Sequence, residues 1–194
     1  MEQKKSVKGT KTEQNLMRAF AGESQARTRY YFFANQARKE GYQQIAEMFD
    51  LTAANETEHA KLFFKQLEGG MVNVDAAYPA GVIGSTMDNL AAAAEGEHEE
   101  WAVMYPEYGR IAKEEGFPHI ARLFNLIARI EGEHEKRYRA LYKNMQEGQV
   151  FERPEEEVWE CRKCGYRHTG KEAPEKCPVC DHPQAYFELQ GDRY

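Results

Sequence analysis

Two Glu-x-x-His pairs, Glu56/His59 and Glu131/His134, interrupt stretches that are otherwise patterned as helix cores. Read at alternating steps of four and three, residues 120–145 give Ile120, Phe124, Ile127, Glu131, His134, Tyr138, Leu141 and Met145, six of the eight being apolar or aromatic. That is the seam of a helix packed into a bundle. A second seam reads Ile45, Phe49, Thr52, Glu56, His59, Phe63. An ionised carboxylate on such a seam is costly unless something pairs with it. Glu-x-x-His pairs facing inward, joined by single glutamates from neighbouring helices, are how four-helix bundles hold metal. The remaining glutamates are present. Glu23 lies on the seam Leu16, Phe20, Glu23, Tyr30, Ala34, Ala37, and Glu97 on Leu90, Ala94, Glu97, Trp101, Met104, Tyr108, Ile111. Glu100 follows Glu97 by three residues, where Ala26 follows Glu23.

Glu23, Glu56, His59, Glu97, Glu100, Glu131 and His134 thus form one expected inward set of five carboxylates and two imidazoles. Five carboxylates cannot all stay ionised in a core without cations. Two divalent ions neutralise most of that charge, and oxygen-rich ligation with imidazole suits iron or manganese. Glu95-Gly-Glu-His98 imitates Glu131-Gly-Glu-His134, but Glu95 falls one position off its seam, so Glu95 and His98 are set aside as ligands. Glu58 and Glu133 read as surface charges by the same rule, and His119, His168 and His182 receive no role. Tyr30 and Tyr105 follow Glu23 and Glu97 by seven and eight residues, one layer from the metals, as candidates for hydrogen bonding or proton delivery.

A third set of ligands lies apart. All four cysteines fall near the carboxyl end, as Cys161-x-x-Cys164 and Cys177-x-x-Cys180 separated by twelve residues. This is a tetrahedral metal pattern, and metal binding would fold the segment outright. Gly165 permits the tight turn after Cys164 in which backbone N–H groups point at sulfur. Spacing alone does not separate zinc from a single iron. A one-electron iron centre beside a two-metal redox site has a use that a zinc clip lacks.

Positioning these groups requires four helices. Thr10-x-x-Glu13 caps a first helix running to about Lys39, and Gly41 stops it; a second covers about Tyr42–Leu67 and makes an antiparallel hairpin with the first. Residues 69–85, glycine-rich with one proline, read as a long crossover. Ser85-x-x-Asp88 opens a third helix over about 86–115, and Pro118 opens a fourth ending near Gly148. The two hairpins are an internal repeat, AANETEHAKLF matching ARIEGEHEKRY. From Glu23 to Gly41 is 18 residues and from Glu97 to Gly116 is 19, so the third helix carries one extra residue. Such an insertion is commonly absorbed as a π-bulge, expected here between about 98 and 108. The expected domains are a four-helix bundle over 1–148, a linker over 149–158, and a metal-stapled tail over 159–194, too short to build a core unaided.

Composition narrows the partners. The 194 residues carry 26 basic and 32 acidic side chains, for a net charge of −6 and no basic stripe, so nucleic acid is not expected. No apolar run approaches the ~18 residues that span a bilayer. The amino-terminal residues are basic but lack an apolar stretch, so no signal peptide is expected. Clustered cysteines point to metal binding in a reducing compartment, the cytoplasm.

With both metal motifs in view, the sequence resembles the rubrerythrin family over nearly its whole length. AFAGESQARTRY, EGEHEE, IEGEHEKR and WECRKCGY…CPVCDHPQAYFEL occur in the family's order. The resemblance implies an all-α, ferritin-like four-helix bundle with a long crossover, plus a small β-rich rubredoxin-like domain. It implies a non-haem di-iron site with Glu23, Glu56, Glu97, Glu131 and His134 as ligands, one iron alternating between Glu100 and His59. One further iron is implied on Cys161, Cys164, Cys177 and Cys180. The implied activity is a peroxidase reducing hydrogen peroxide, fed from NAD(P)H through a separate reductase and a small carrier such as rubredoxin. A homodimer is also implied, with one subunit's tail feeding the other's bundle. An iron-oxidising, ferritin-like storage protein is the rival expectation.

Overall fold

A computed structural model describes residues 5–191. Helices α1 (Lys11–Lys39) and α2 (Gln43–Phe64) form the first hairpin. The second pairs a broken helix, α3 (Thr86–Glu99) and α4 (Tyr105–Glu114), with α5 (Pro118–Gln146). The two hairpin turns are built alike. Gly41 and Gly116 sit at φ +86° and +80°, and the next residue closes the helix end, Tyr42 N–H on Ala37 O and Phe117 N–H on Ala112 O, both at 2.8 Å. Left-handed glycines with this wide-loop bond end helices abruptly and reverse the chain. The repeat seen in sequence is therefore a repeat of backbone geometry.

Between α3 and α4 the backbone is π-helical over Glu100–Met104, inside the expected window. The extra residue rotates everything after it. A straight third helix would bury Trp101, Met104, Tyr108 and Ile111. Instead Trp101 is 38% exposed and Tyr105, Gly109 and Ala112 are buried. The expected seam is thus corrected by one residue beyond Glu97, because the bulge adds one residue to a single turn.

Apolar side chains pack in two clusters within the bundle. Tyr30, Phe33, Ile45, Phe49, Leu90 and Tyr138 belong to one. Leu16, Phe63, Tyr105, Phe117, Phe124 and Ile127 belong to the other.

The start of α1 is held from a distance. Thr10 caps its own helix by accepting from Glu13 N–H. Glu115, at the far hairpin's turn, accepts from the Lys11 and Thr12 N–H groups at 3.1 and 2.8 Å and from the Thr12 hydroxyl at 2.6 Å. Three donors on one carboxylate, at a helix N-terminus, favour its ionised form. Partial burial opposes ionisation, yet the bonds from Thr12 and Lys11 hold Glu115 below the ordinary value of 4.5. Glu115→Ala should cost about 1–2 kcal/mol, as loss of an N-cap does, read as a lower Tm. The loss should be full at neutral pH and shrink as the pH falls through the folded-state value, where the wild-type carboxylate is itself protonated.

The tail is a three-stranded antiparallel sheet of order β2-β1-β3, from β1 (Glu152–Cys161), β2 (Arg167–Glu172) and β3 (Phe187–Leu189). Most of the stretch expected as linker is therefore strand, since Glu152 already opposes Glu172. The sheet docks at the hairpin turn of α1 and α2. Phe151 stacks on Tyr42 with ring centres 6.1 Å apart, and Arg162 pairs with both Glu47 and Glu188.

Candidate metal centres

Glu23, Glu56, Glu97, Glu131, His59 and His134 are all buried, contributed by α1, α2, α3 and α5. Their ligand atoms form two quartets, each within 4.8 Å: Glu23, Glu56, His59 and Glu131, and Glu56, Glu97, Glu131 and His134. Glu56 and Glu131 are common to both. His59 Nδ1 stands 2.9 Å from oxygens of Glu56 and Glu131 and 3.7 Å from Glu23. His134 Nδ1 stands 2.7 Å from Glu131, 3.2 Å from Glu56 and 3.5 Å from Glu97. The imidazole rings lie nearly parallel, 6.0 Å apart.

His59 Nδ1 and Glu56 Oε2 make a hydrogen bond at 2.9 Å, but much of the rest of the layer is left unsatisfied. Glu23 Oε2, Glu56 Oε1, Glu97 Oε2, both oxygens of Glu131 and His134 Nδ1 are buried without a hydrogen-bond partner. Orphaned acceptors are rare in a native core, and six in one layer converge on a common need for cations. Charge makes the same demand. Burial, then the charges of Glu56 and Glu131, push Glu23 well above its ordinary value. Burial, then Glu56, pushes Glu97 up to about 8. Burial opposes charge on the imidazoles, but the carboxylates win and raise both. Even two imidazolium ions would leave carboxylates uncompensated. The donor set of oxygens with one imidazole per quartet fits iron or manganese.

Each hairpin also steadies the other's glutamate. Tyr30 on α1 donates its hydroxyl to Glu97 on α3, and Tyr105 on α4 donates to Glu23 on α1. Burial is the main reason both phenols stay protonated. The bulge explains the unequal spacing: Tyr105 needs eight residues to reach the place that Tyr30 reaches in seven.

Glu100 stands outside both quartets, on the π-helical turn, while His59 occupies the first. Its Oε1 reaches toward Gly22. The residues set aside stay outside too. Glu95 and His98 are exposed, on Arg139 and Glu135 respectively. Glu58 and Glu133 pair with Lys61 and Lys136 at the surface. Glu135 escaped the sequence reading: it is buried and accepts from Trp101, His98 and Arg139. Its signal was the Arg139 four residues on.

In the tail, the four sulfurs also fall within 4.8 Å, with Cys161–Cys180 at 3.7 Å and Cys164–Cys177 at 3.6 Å. Gly165 takes φ +74°. Burial opposes ionisation of Cys177, yet the N–H groups of Cys180 and Val179 bring its thiol down to about 7. The His182 N–H favours ionisation of Cys180, but burial and the neighbouring sulfurs outweigh it and raise that thiol to about 12, and Cys164 is raised as well, so the thiolates gather together only around a cation.

The family model described as Rubrerythrin matches residues 14–142, and the one described as Rubrerythrin, rubredoxin-like domain matches 159–188. The chain is 58% identical over 193 residues to a rubrerythrin of Porphyromonas gingivalis, covering 100% of this chain and 96% of that one. To a rubrerythrin of Nitratidesulfovibrio vulgaris it is 54% identical over 187 residues, covering 96% and 98%. Among solved structures, nigerythrin in a mixed-valence state superposes with a TM-score of 0.62 at 36% identity, over 97% of this chain and 90% of that one. The fold is thus a helical, ferritin-like bundle with a four-cysteine strand domain, carrying a di-iron site of carboxylate and histidine ligands and a rubredoxin-like site.

Proposed function

This chain belongs to the rubrerythrin family, and from that premise we propose that it is a non-haem peroxidase that reduces hydrogen peroxide to water. The observation that carries this reading is the pair of quartets sharing Glu56 and Glu131, in the same chain as a four-cysteine group in a rubredoxin-like domain. Glu23, Glu56, His59 and Glu131 would hold one iron; Glu56, Glu97, Glu131 and His134 the other; Cys161, Cys164, Cys177 and Cys180 a third. Loaded with ferrous iron, the bundle site supplies two electrons in one place and Lewis acidity toward peroxide oxygens. Peroxide, two electrons and two protons give two waters.

The chain's own residues set the conditions. Apolar clusters border the layer and keep bulk water from it. Tyr30 and Tyr105 fix one oxygen each of Glu97 and Glu23, so those carboxylates keep their orientation as charge changes. Glu100, held outside the quartets on an irregular turn, serves as the alternative to His59 and as a carrier of protons to the reacting oxygens. Cys161, Cys164, Cys177 and Cys180 would hold an iron able to take electrons one at a time, from a small carrier such as rubredoxin and its NAD(P)H reductase. The setting is the cytoplasm and the working form a homodimer. Among the described residues no helix is long and apolar enough to cross a membrane.

Glu100→Ala tests the assignment. The fold and the metal content should be kept, because Glu100 belongs to neither quartet. Peroxide turnover should fall by roughly 10²-fold, the scale of one lost proton-transfer group. Unchanged turnover would remove Glu100 from the mechanism.

A further inference from the structure

The crossover between α2 and α3 folds back onto α1 beside the metal layer. Arg18 Nε donates to the Asp75 carbonyl at 3.1 Å, and the Tyr78 hydroxyl donates to the Arg18 carbonyl at 2.9 Å. Between this strap and the π-helical turn lies a cavity of about 250 Å³, walled by Arg18, Asp75, Ala77, Tyr78, Met104 and Tyr108. Met104 is the last residue of the turn that begins with Glu100. One helical turn beyond Arg18, Gly22 leaves α1 bare. A Cβ there would meet Glu100 Oε1 and Tyr78 Cε1, each at 3.8 Å. The Tyr78 ring therefore borders the cavity on one side and shares the gap over Gly22 with the Glu100 carboxylate on the other.

We propose that this cavity is the approach by which hydroperoxide reaches Glu100 and the metal layer, with the Tyr78 ring, part of the same wall as Met104, limiting the size of what the cavity admits. The proposal rests on the peroxidase reading above. A cavity of this volume takes hydrogen peroxide together with several waters, at ~30 Å³ each. Its walls offer the Asp75 carbonyl region, the Arg18 side chain and two phenols to a small polar molecule. The ring itself is lightly held: Tyr78 is half-buried, belongs to none of the apolar clusters, and is tied by a single hydrogen bond.

Met104 reports on the passage without any redox chemistry at the metals. In the full chain loaded with zinc, a hydroperoxide transfers one oxygen to a methionine sulfur, giving the sulfoxide and water, or the alcohol from an alkyl hydroperoxide. Peptide mass spectrometry compares Met104 with Met71, which is 97% exposed. Relative to Met71, Met104 should be oxidised well by hydrogen peroxide and poorly by tert-butyl hydroperoxide. Tyr78→Ala should bring the two reagents together, a shift of roughly tenfold, the scale on which pocket size discriminates. Val82→Ala, on the same crossover at 86% exposure, should change nothing. With iron loaded, Tyr78→Ala should raise the relative rate with tert-butyl hydroperoxide in the same way. An unchanged ratio in Tyr78→Ala, or an equal shift in Val82→Ala, overturns the proposal. Failure of the peroxidase reading shows separately, as an iron-loaded wild type that does not consume hydrogen peroxide while the zinc form keeps its selectivity.

Discussion

Glu131→Ala protein should retain neither bundle metal, whereas Glu23→Ala should lose one and keep the other. Glu131 is common to both quartets and Glu23 belongs to one, so the two substitutions remove unequal shares of the same site. Three ligand groups are present among the described residues. Metal analysis after reconstitution should therefore give about three metals per chain in the wild type, two in Glu23→Ala and one, in the four-cysteine group, in Glu131→Ala. The metal-free proteins should behave in the opposite sense. Both oxygens of Glu131 are buried without a hydrogen-bond partner, in a layer where five carboxylates outnumber the two imidazoles beside them. Glu131→Leu should therefore stabilise the apo bundle, by about 1–4 kcal/mol if it follows other buried charges replaced by apolar side chains. A variant that keeps both metals, or an apo bundle that melts lower, would contradict the shared role of Glu131.

Cys177→Ser should unfold the tail and leave the bundle intact. The tail's buried set is Trp159, Cys161, Ala173, Cys177 and Phe187, so two of its five core members are themselves metal ligands. So small a core does not hold a fold without a staple, and structural four-ligand sites contribute about 10–16 kcal/mol of coupled binding and folding. Hydrogen exchange should show β1, β2 and β3 losing protection together. The helices, with apolar clusters of their own, should keep theirs. Protection retained in β1 would mean that docking on Tyr42 and Glu47, rather than metal, orders the tail.

Much of this was legible in the chain itself, for physical reasons that differ by element. Glu23, Glu56, Glu97, Glu131 and the two histidines stood out because charge on an apolar seam is expensive and demands an explanation. The bulge was legible because a duplicated hairpin supplies its own ruler, and one extra residue before Gly116 had to go somewhere. What followed the bulge was misread. Trp101 and Met104 fit the period of a regular helix, and periodicity carries no mark of where a helix turns π. The strand over 152–161 was hidden by its polar, proline-containing composition, which lacks the alternation of a half-buried strand. Tyr78 and Gly22 gave no signal, since a tertiary contact between a crossover and a helix leaves no periodic trace. Glu100 was singled out as an inward carboxylate by its spacing from Glu97. Its place outside both quartets follows from the π turn, which spacing alone does not reveal.

The two hairpins are alike in turn geometry, in their Glu-x-x-His pairs and in the tyrosines they exchange. They differ at Ala26 and Glu100, and the π-helical turn lies only in the second. The asymmetry gives the two metals unequal surroundings, one flanked by His59 with Glu100 nearby and the other by His134. A storage protein that only oxidises iron has no need of a four-cysteine centre in the same chain, but a peroxidase re-reduced one electron at a time does. The most direct measurement is stopped-flow mixing of the fully reduced, iron-loaded protein with hydrogen peroxide or with dioxygen. Peroxide should reoxidise the bundle site far faster than dioxygen does. Reoxidation by dioxygen at an equal or greater rate would contradict the peroxidase reading.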